Sequence, residues 1–246
     1  MAKQWFDVKK LQKPKVTLYG LYLARPVSRR ITKLLYRTDI TPNQASVFSL
    51  FLGIVASVFL LFDYNYACAI FLYFAFVFDC VDGELARLKE QFTKLGYWME
   101  GALDRIPEIL PLLVMGHLTG AWAFTAFAIT NILLIRSSKY TRSLLLEKFN
   151  LQEDGLSRYK TLIEKPQPKR IISWLGYTSA LNYLILIVGI LTKQYLPILV
   201  GFSVIGFPYY LITSFVIIRY YHHLDRSNHL NEKRRNKDSN YSEERD

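Results

Sequence analysis

Residues 66–104 read YACAIFLYFAFVFDCVDGELARLKEQFTKLGYWMEGALD. The opening stretch, Tyr66–Phe78, is almost wholly apolar. Asp79 and Asp82 follow at once, and Glu100 and Asp104 come just before a second apolar run, 106-IPEILPLLVMGHL-118. A carboxylate at mid-bilayer costs roughly 2.5–3.5 kcal/mol on insertion scales. Four of them at the junction of apolar segments call for a chemical reason.

The wider chain agrees with a lipid setting. Its 246 residues are 51% hydrophobic and 15% aromatic, and the apolar residues lie in long blocks rather than short periodic runs, the mark of a polytopic membrane protein. Six spans are expected, near Ala45–Phe62, Tyr66–Arg87, Trp98–Leu118, Gly120–Ile135, Ile171–Leu191 and Tyr195–Ile218. They are read as helices because barrel strands would alternate apolar and polar residues. The fold class is therefore all-α, six transmembrane helices preceded by an interfacial amphipathic helix.

Lysine and arginine set the expected orientation. Ten lie before residue 41, three between 87 and 95, nine in 136–170 and seven from Arg219 onward, whereas the opposite-side links carry only Lys193. Cytoplasmic loops carry the excess of such residues, so both termini and the link after Arg87 are placed in the cytoplasm of a multi-pass cell-membrane protein. The net charge of +11 follows this topology. No basic–aromatic pattern points to nucleic acid. The N-terminus MAKQWFDVKKLQKPKV lacks the apolar core of a signal peptide. In 27-VSRRITKLLYRT-38, Val27, Ile31, Leu34 and Leu35 share one helical face while Arg29, Arg30, Lys33 and Arg37 take the other. Such a helix suits the headgroup plane. Thr41-Pro42 supplies an N-cap and a first-turn proline for the first span.

Three regions follow: a cytoplasmic N-terminus at 1–40 with the amphipathic helix, a six-helix transmembrane catalytic domain at 41–221, and a polar, disordered cytoplasmic tail at 222–246. Cys68 and Cys80, about 18 Å apart along one helix, are too distant to pair. The tail histidines lack ligand spacing for a metal.

The acids have a geometric logic. Asp79, Asp82, Gly83 and Ala86 are spaced i, i+3, i+4, i+7 and share a helical face. Gly96, Glu100 and Asp104 form a second stripe at i, i+4, i+8, and the residues between Arg87 and Gly96 let the two stripes face each other within the cytoplasmic leaflet. Four converging carboxylates repel one another unless protonated or metal-bound. An oxygen-rich cluster suits Mg²⁺ or Mn²⁺, and paired ions can clamp a pyrophosphate. The bland alternative, a structural ion-pair network with Arg87 and Arg105, sets two cations against four acids, with Glu108 a fifth.

These residues also resemble the signature of the CDP-alcohol phosphotransferase family of integral membrane enzymes, D-x2-D-G-x2-A-R-x8-G-x3-D-x3-D. Asp79, Asp82, Gly83, Ala86, Arg87, Gly96 and Asp104 match in type and spacing, and Glu100 stands where the pattern has its third aspartate. The resemblance extends to about Tyr221. It implies a divalent-metal-dependent transferase of substituted phosphate groups that releases CMP. Asp79, Asp82, Glu100 and Asp104 would hold two Mg²⁺ or Mn²⁺ ions, with Asp104 also the general base. Asp82, Gly83, Ala86, Arg87 and Gly96 would line the nucleotide site, with Pro42 and Asn43 of 40-ITPNQAS-46 at its border. A homodimer is the family expectation.

For the substrates, Lys139 and Arg142 in 136-RSSKYTRS-143 are candidate grips for an anionic acceptor such as an alcohol phosphate, or ordinary positive-inside charge. The expected donor is CDP-linked and the acceptor a small polar alcohol or alcohol phosphate, in phospholipid biosynthesis. Residues 25-RPVSRRITKLLYRTDITPNQ-44 also resemble the di-myo-inositol phosphate phosphate synthase branch, which makes transfer from CDP-inositol the alternative. A catalytically inactive member acting as a membrane scaffold is a third reading, motivated by Glu100.

Overall fold

The computed structural model describes residues 24–148 and 179–212, with Tyr22 and scattered positions from 214 to 222; for Tyr97, Glu100, 138–140 and 142–148 it describes the backbone alone. Among the described residues all regular structure is helical. In chain order the helices are α1 (Arg25–Leu35), α2 (Pro42–Leu61), α3 (Asn65–Lys89), α4 (Lys94–Ala102), α5 (Ile106–Thr119), α6 (Trp122–Lys148), α7 (Ser179–Leu191) and α8 (Tyr195–Arg219). By length and composition α2, α3 and α8 can cross a membrane, and Trp122–Ser137 and Ser179–Leu191 are shorter apolar segments. The expected fifth span begins at residue 171, and its first part lies outside the described residues.

The chain divides into two units. The first comprises Met1–Leu133 and Pro168–Gly206 and is built around the α2–α3 hairpin. The second comprises Leu134–Gln167 and Phe207–Asp246; its described residues are the C-terminal portions of α6 and α8. Of the expected tail, 222–246, His222 is described, as helix, and 223–246 lie outside the described residues.

Helix α2 begins as the sequence predicts. Thr41 Oγ1 accepts from Gln44 N at 3.3 Å, Gln44 Oε1 accepts from Thr41 N at 2.9 Å, and Pro42 fills the first turn. This reciprocal box satisfies two amide donors that would otherwise lack partners. Along α2, Ser46, Ser49, Gly53, Ala56 and Ser57 are buried, a stripe of small side chains that lets helices approach closely without lipid-facing hydrophobicity driving them together. Ser49 Oγ donates to the Ala75 carbonyl of α3 at 2.7 Å. A Cβ at Gly53 would fall 2.5 Å from Pro107 Cβ, so the absence of a side chain there seats α5. Helix α7 packs on α3, where Tyr183 stacks on Phe76 with centroids 4.9 Å apart.

One expectation needs correction. The third span, Trp98–Leu118, is not one helix. It runs as α4, a 3₁₀ turn at Leu103–Arg105, and α5. Pro107 in the first turn of α5 has no amide hydrogen, and its ring crowds the carbonyl four residues earlier, that of Leu103, which favours the break seen at Leu103–Arg105. In helix α1 the most buried residues are Arg25, Ser28 and Thr32, turned toward α3, while Val27, Ile31 and Leu35 are partly buried against the core and Leu34 is 70% exposed.

Candidate active site

Helix α3 carries the first two acids in its second half and ends at Glu90, whose left-handed conformation (φ 55°) stops the helix. Residues 91–93 turn the chain, and Thr93 starts α4 by accepting from Gly96 N at 2.9 Å. The turn brings the 3₁₀ segment over α3. One carboxylate oxygen from each of Asp79, Asp82 and Asp104 lies within 4.8 Å of the others. Asp104 is buried at 8% exposure, whereas Asp79 and Asp82 are half-buried. The broken helix changes how Asp104 arrives there: it reaches the cluster from a 3₁₀ turn rather than from the third turn of a continuous stripe.

The residue types fit a hard divalent cation. Carboxylate oxygens are the preferred donors of Mg²⁺ and Mn²⁺, and three that converge this closely, one of them buried, repel each other without a positive charge among them. One ligand is already oriented: Ser46 Oγ, from the first turns of α2, donates to Asp82 Oδ2 at 2.6 Å. Ligating carboxylates are commonly held this way. Glu100 lies on α4 one turn before Asp104, and its side chain is outside the described residues.

The expected nucleotide residues are brought together in part. Asn43 Nδ2 donates to Thr93 Oγ1 at 3.5 Å, and a Cβ at Gly96 would fall 2.8 Å from Asn43 Oδ1 and 3.0 Å from Thr93 Oγ1. Gly96 thus accommodates the Asn43 side chain, and the start of α2, with Pro42 and Asn43, meets the start of α4. A Cβ at Gly83 would lie 3.4 Å from Arg87 Nη1, which places the guanidinium over the glycine. Ala86 lies one turn beyond Asp82 on α3, half-buried. The side chains of Lys139 and Arg142, on α6, lie outside the described residues.

The remaining acids have separate partners. Glu108 is fully buried, 3.0 Å from Arg105 Nη1, and accepts from Asn182 Nδ2 at 3.0 Å; the same Arg105 nitrogen donates to Ser179 Oγ at 3.2 Å. Glu84, also fully buried, accepts from Arg25, Ser28 and Thr32 of α1. Sequence reasoning missed Ser46, the Arg25–Glu84 pair and the α7 contribution. Ser46 had a signal in the small-residue stripe of α2. The other two join residues 59 and 74 positions apart with no local pattern to link them.

A family model described as CDP-alcohol phosphatidyltransferase matches residues 39–205, a range that holds all of these aspartates. The chain belongs to that family. Two curated relatives share part of it. A protein named bifunctional IPC transferase and DIPP synthase from Thermococcus kodakarensis is 32% identical over 108 residues, which is 43% of this chain and 24% of the relative. One of the same name from Aquifex aeolicus is 34% identical over 103 residues, 42% of this chain and 24% of the relative. The aligned stretch spans about a quarter of the length of either relative. CDP-alcohol phosphatidyltransferases are transferases, and the Asp79–Asp82–Asp104 cluster sits inside the matched domain.

Proposed function

We propose that the protein transfers a substituted phosphate from a CDP-linked donor to an alcohol and releases CMP, with a site on the cytoplasmic side of a six-span membrane domain and α1 lying at the headgroup plane. The observation that carries this reading is the convergence of Asp79, Asp82 and Asp104 within 4.8 Å. In this reading Asp79, Asp82, Glu100 and Asp104 hold the divalent ions, which neutralise charge on the pyrophosphate. Gly83, Ala86, Arg87 and Gly96 line the nucleotide, with Pro42 and Asn43 at its border. Asp104 accepts the proton of the acceptor hydroxyl. The hydroxyl oxygen then bonds to the β-phosphorus of the donor, the bond from that phosphorus to the bridging oxygen breaks, and CMP leaves with the bridging oxygen.

The donor follows from two lines of support. The names of the two relatives, and the likeness of residues 25–44 to the di-myo-inositol phosphate phosphate synthase branch, favour a CDP-inositol type of donor. Helices α2, α3 and α8, long enough to cross a membrane, favour a lipid donor of the CDP-diacylglycerol type and a role in phospholipid synthesis. Lys139 and Arg142 serve as acceptor grips in either case.

The test is CMP release by the purified chain in Mg²⁺ or Mn²⁺, with CDP-diacylglycerol and CDP-inositol run in parallel against small alcohols and alcohol phosphates. Release with one donor names the branch. A folded protein that releases CMP from neither donor, with any acceptor, overturns the reaction.

A further inference from the structure

Asp79 and Asp82 stand on the regular helix α3, whereas Asp104 sits in the 3₁₀ turn Leu103–Arg105 between α4 and α5. The backbone holds that turn lightly. Ile106 N donates to the Leu103 carbonyl, an i→i+3 bond, and Pro107 has no amide hydrogen to offer the same carbonyl in the α-helical pattern. Hydrogen bonds of this kind have poorer geometry than those of an α-helix. Side chains therefore take a larger part in fixing how the segment is rotated.

The side chain next to Asp104 is tied down. Arg105 Nη1 donates to Glu108 Oε1 at 3.0 Å and to Ser179 Oγ at 3.2 Å. Glu108 is held in turn by Asn182 Nδ2, which donates to Oε2 at 3.0 Å. Glu108 and Asn182 are buried, and the Arg105 side chain is 11% exposed. These contacts run from the turn to α5 and α7. Neighbouring residues of a 3₁₀ helix stand about 120° apart around its axis, so a side chain fixed at 105 sets the direction of the side chain at 104. With Arg105 drawn to α5 and α7, Asp104 is left to α3, where its oxygen lies within 4.8 Å of those of Asp79 and Asp82.

We infer that Arg105 is a positioning residue for Asp104: anchored by Glu108 and Ser179, it fixes the rotation of the 3₁₀ turn and so aims the Asp104 carboxylate at Asp79 and Asp82, which rests on the proposed reading of that cluster as a divalent-cation site with Asp104 as the base. The same contacts also close α5 onto α7. A role limited to that closure differs in one respect, because its loss is felt equally whether or not residue 104 carries a carboxylate.

The experiment uses the full chain in detergent. It reads Mn²⁺ affinity from the free-ion electron paramagnetic resonance signal, CDP affinity in saturating Mn²⁺ by calorimetry, CMP release from CDP-diacylglycerol and CDP-inositol, and the thermal midpoint. The Arg105→Gln/Glu108→Gln double variant removes both charges together, which leaves no lone charge buried. It is expected to weaken Mn²⁺ binding by about tenfold, the low end for loss of an outer partner. Its kcat should fall by roughly tenfold to a hundredfold, the scale of a misplacement of up to about 1 Å at a reacting group, with CDP affinity within about threefold of the parent. Ser179→Ala should shift both quantities in the same direction by less, and Ser179→Thr, which keeps the hydroxyl, should match the parent. In an Asp104→Asn background the same substitutions should change Mn²⁺ affinity by less than about twofold, since two residues that act through one another are not additive. Equal losses in both backgrounds overturn the inference, as does a folded double variant with parental Mn²⁺ affinity and kcat. Loss of CDP affinity at unchanged kcat also overturns it, by making Arg105 a nucleotide contact. Where the double variant does not fold, or Asp104→Asn binds too little Mn²⁺ to titrate, Ser179 decides alone: a loss in Ser179→Ala that Ser179→Thr restores supports the inference, and two equal proteins overturn it. A parent chain that binds no Mn²⁺ and releases no CMP overturns the cation-site reading and this inference with it, an outcome distinct from the others.

Discussion

Two kinds of acid stand within a short stretch of this chain. Glu84 and Glu108 are each fully buried, and each has an arginine guanidinium within 3.0 Å and at least one further neutral donor. Asp79, Asp82 and Asp104 instead gather their oxygens within 4.8 Å of one another. The glutamates close helix–helix contacts, α1 to α3 and α5 to α7. The aspartates stand where like charges oppose compact folding. The difference teaches how to sort acids in a membrane domain: those aimed at a cation hold the structure together, and those aimed at each other require an explanation in chemistry.

The comparison breaks first at Asp104. Asp104→Asn is expected to lower CMP release by roughly 10²–10⁴-fold, the range for a lost general base. In metal-free buffer its thermal midpoint should hold or rise, because the substitution relieves repulsion. A variant that keeps parental turnover removes the base assignment. One that loses both activity and fold would move Asp104 into the structural class.

Glu108→Gln tests the other side. It leaves the Arg105 guanidinium in the interior without its carboxylate, and breaking a buried pair by removing one partner costs about 3 kcal/mol or more. The expected outcome is a markedly lower thermal midpoint, with CDP affinity unchanged in the fraction that folds. Unchanged stability with weakened CDP binding would place Glu108 with the aspartates and dissolve the distinction.

How far this sorting was legible in the sequence depends on distance along the chain. Asp79 and Asp82 are i, i+3 on one helix, and the signature spacing grouped Asp104 with them, where the structure also places it, although a 3₁₀ turn just before Pro107 interrupts the helix at Asp104. Pro107 is visible in the sequence, but the apolar run from Ile106 to Leu118 masks the break it marks. Balancing two arginines against five acids pointed to a metal, but it omitted Arg25, which lies outside the motif. The docking stripe of α1, Arg25, Ser28 and Thr32, was hidden for a related reason: its acceptor, Glu84, lies 52 to 59 positions away in the chain.

Ser46→Ala sharpens the comparison at a smaller scale. The hydroxyl orients Asp82 Oδ2 from 2.6 Å, and loss of an outer partner typically costs a metal site at least tenfold in affinity or activity. Mn²⁺ affinity is expected to fall by about tenfold, the low end of that range, with a stability change no larger than about 1 kcal/mol, the size of one ordinary hydrogen bond. An unaffected Mn²⁺ affinity would show that Asp82 is held by its helix alone.

The smallest effect belongs to the opposite end of the α2–α3 hairpin, about 21 Å along α3 from Asp79. There Lys193 Nζ meets Asp63 Oδ2 at 2.6 Å, Asn65 Nδ2 donates to Asp63 Oδ1 at 2.9 Å, and Tyr195 donates to Asn65 Oδ1 at 2.6 Å. The ammonium of Lys193, aided by the Asn65 amide, holds the Asp63 carboxyl below its ordinary 3.8, and Asp63 in turn holds Lys193 above its ordinary 10.5. The stabilisation linked to Asp63 is present above 3.8 and is lost as pH falls through the lowered folded value. The part linked to Lys193 is present below 10.5 and is lost as pH rises through the raised one. Both side chains are exposed, at 60% and 61%, so solvent and salt screen them. Asp63→Asn should therefore lower the thermal midpoint only slightly at neutral pH and lose that difference below the folded value of Asp63. It should also leave CMP release untouched. An exposed pair of this kind follows the structural rule at its weakest, and any effect of Asp63→Asn on turnover would mean that the two ends of the hairpin are coupled through α3.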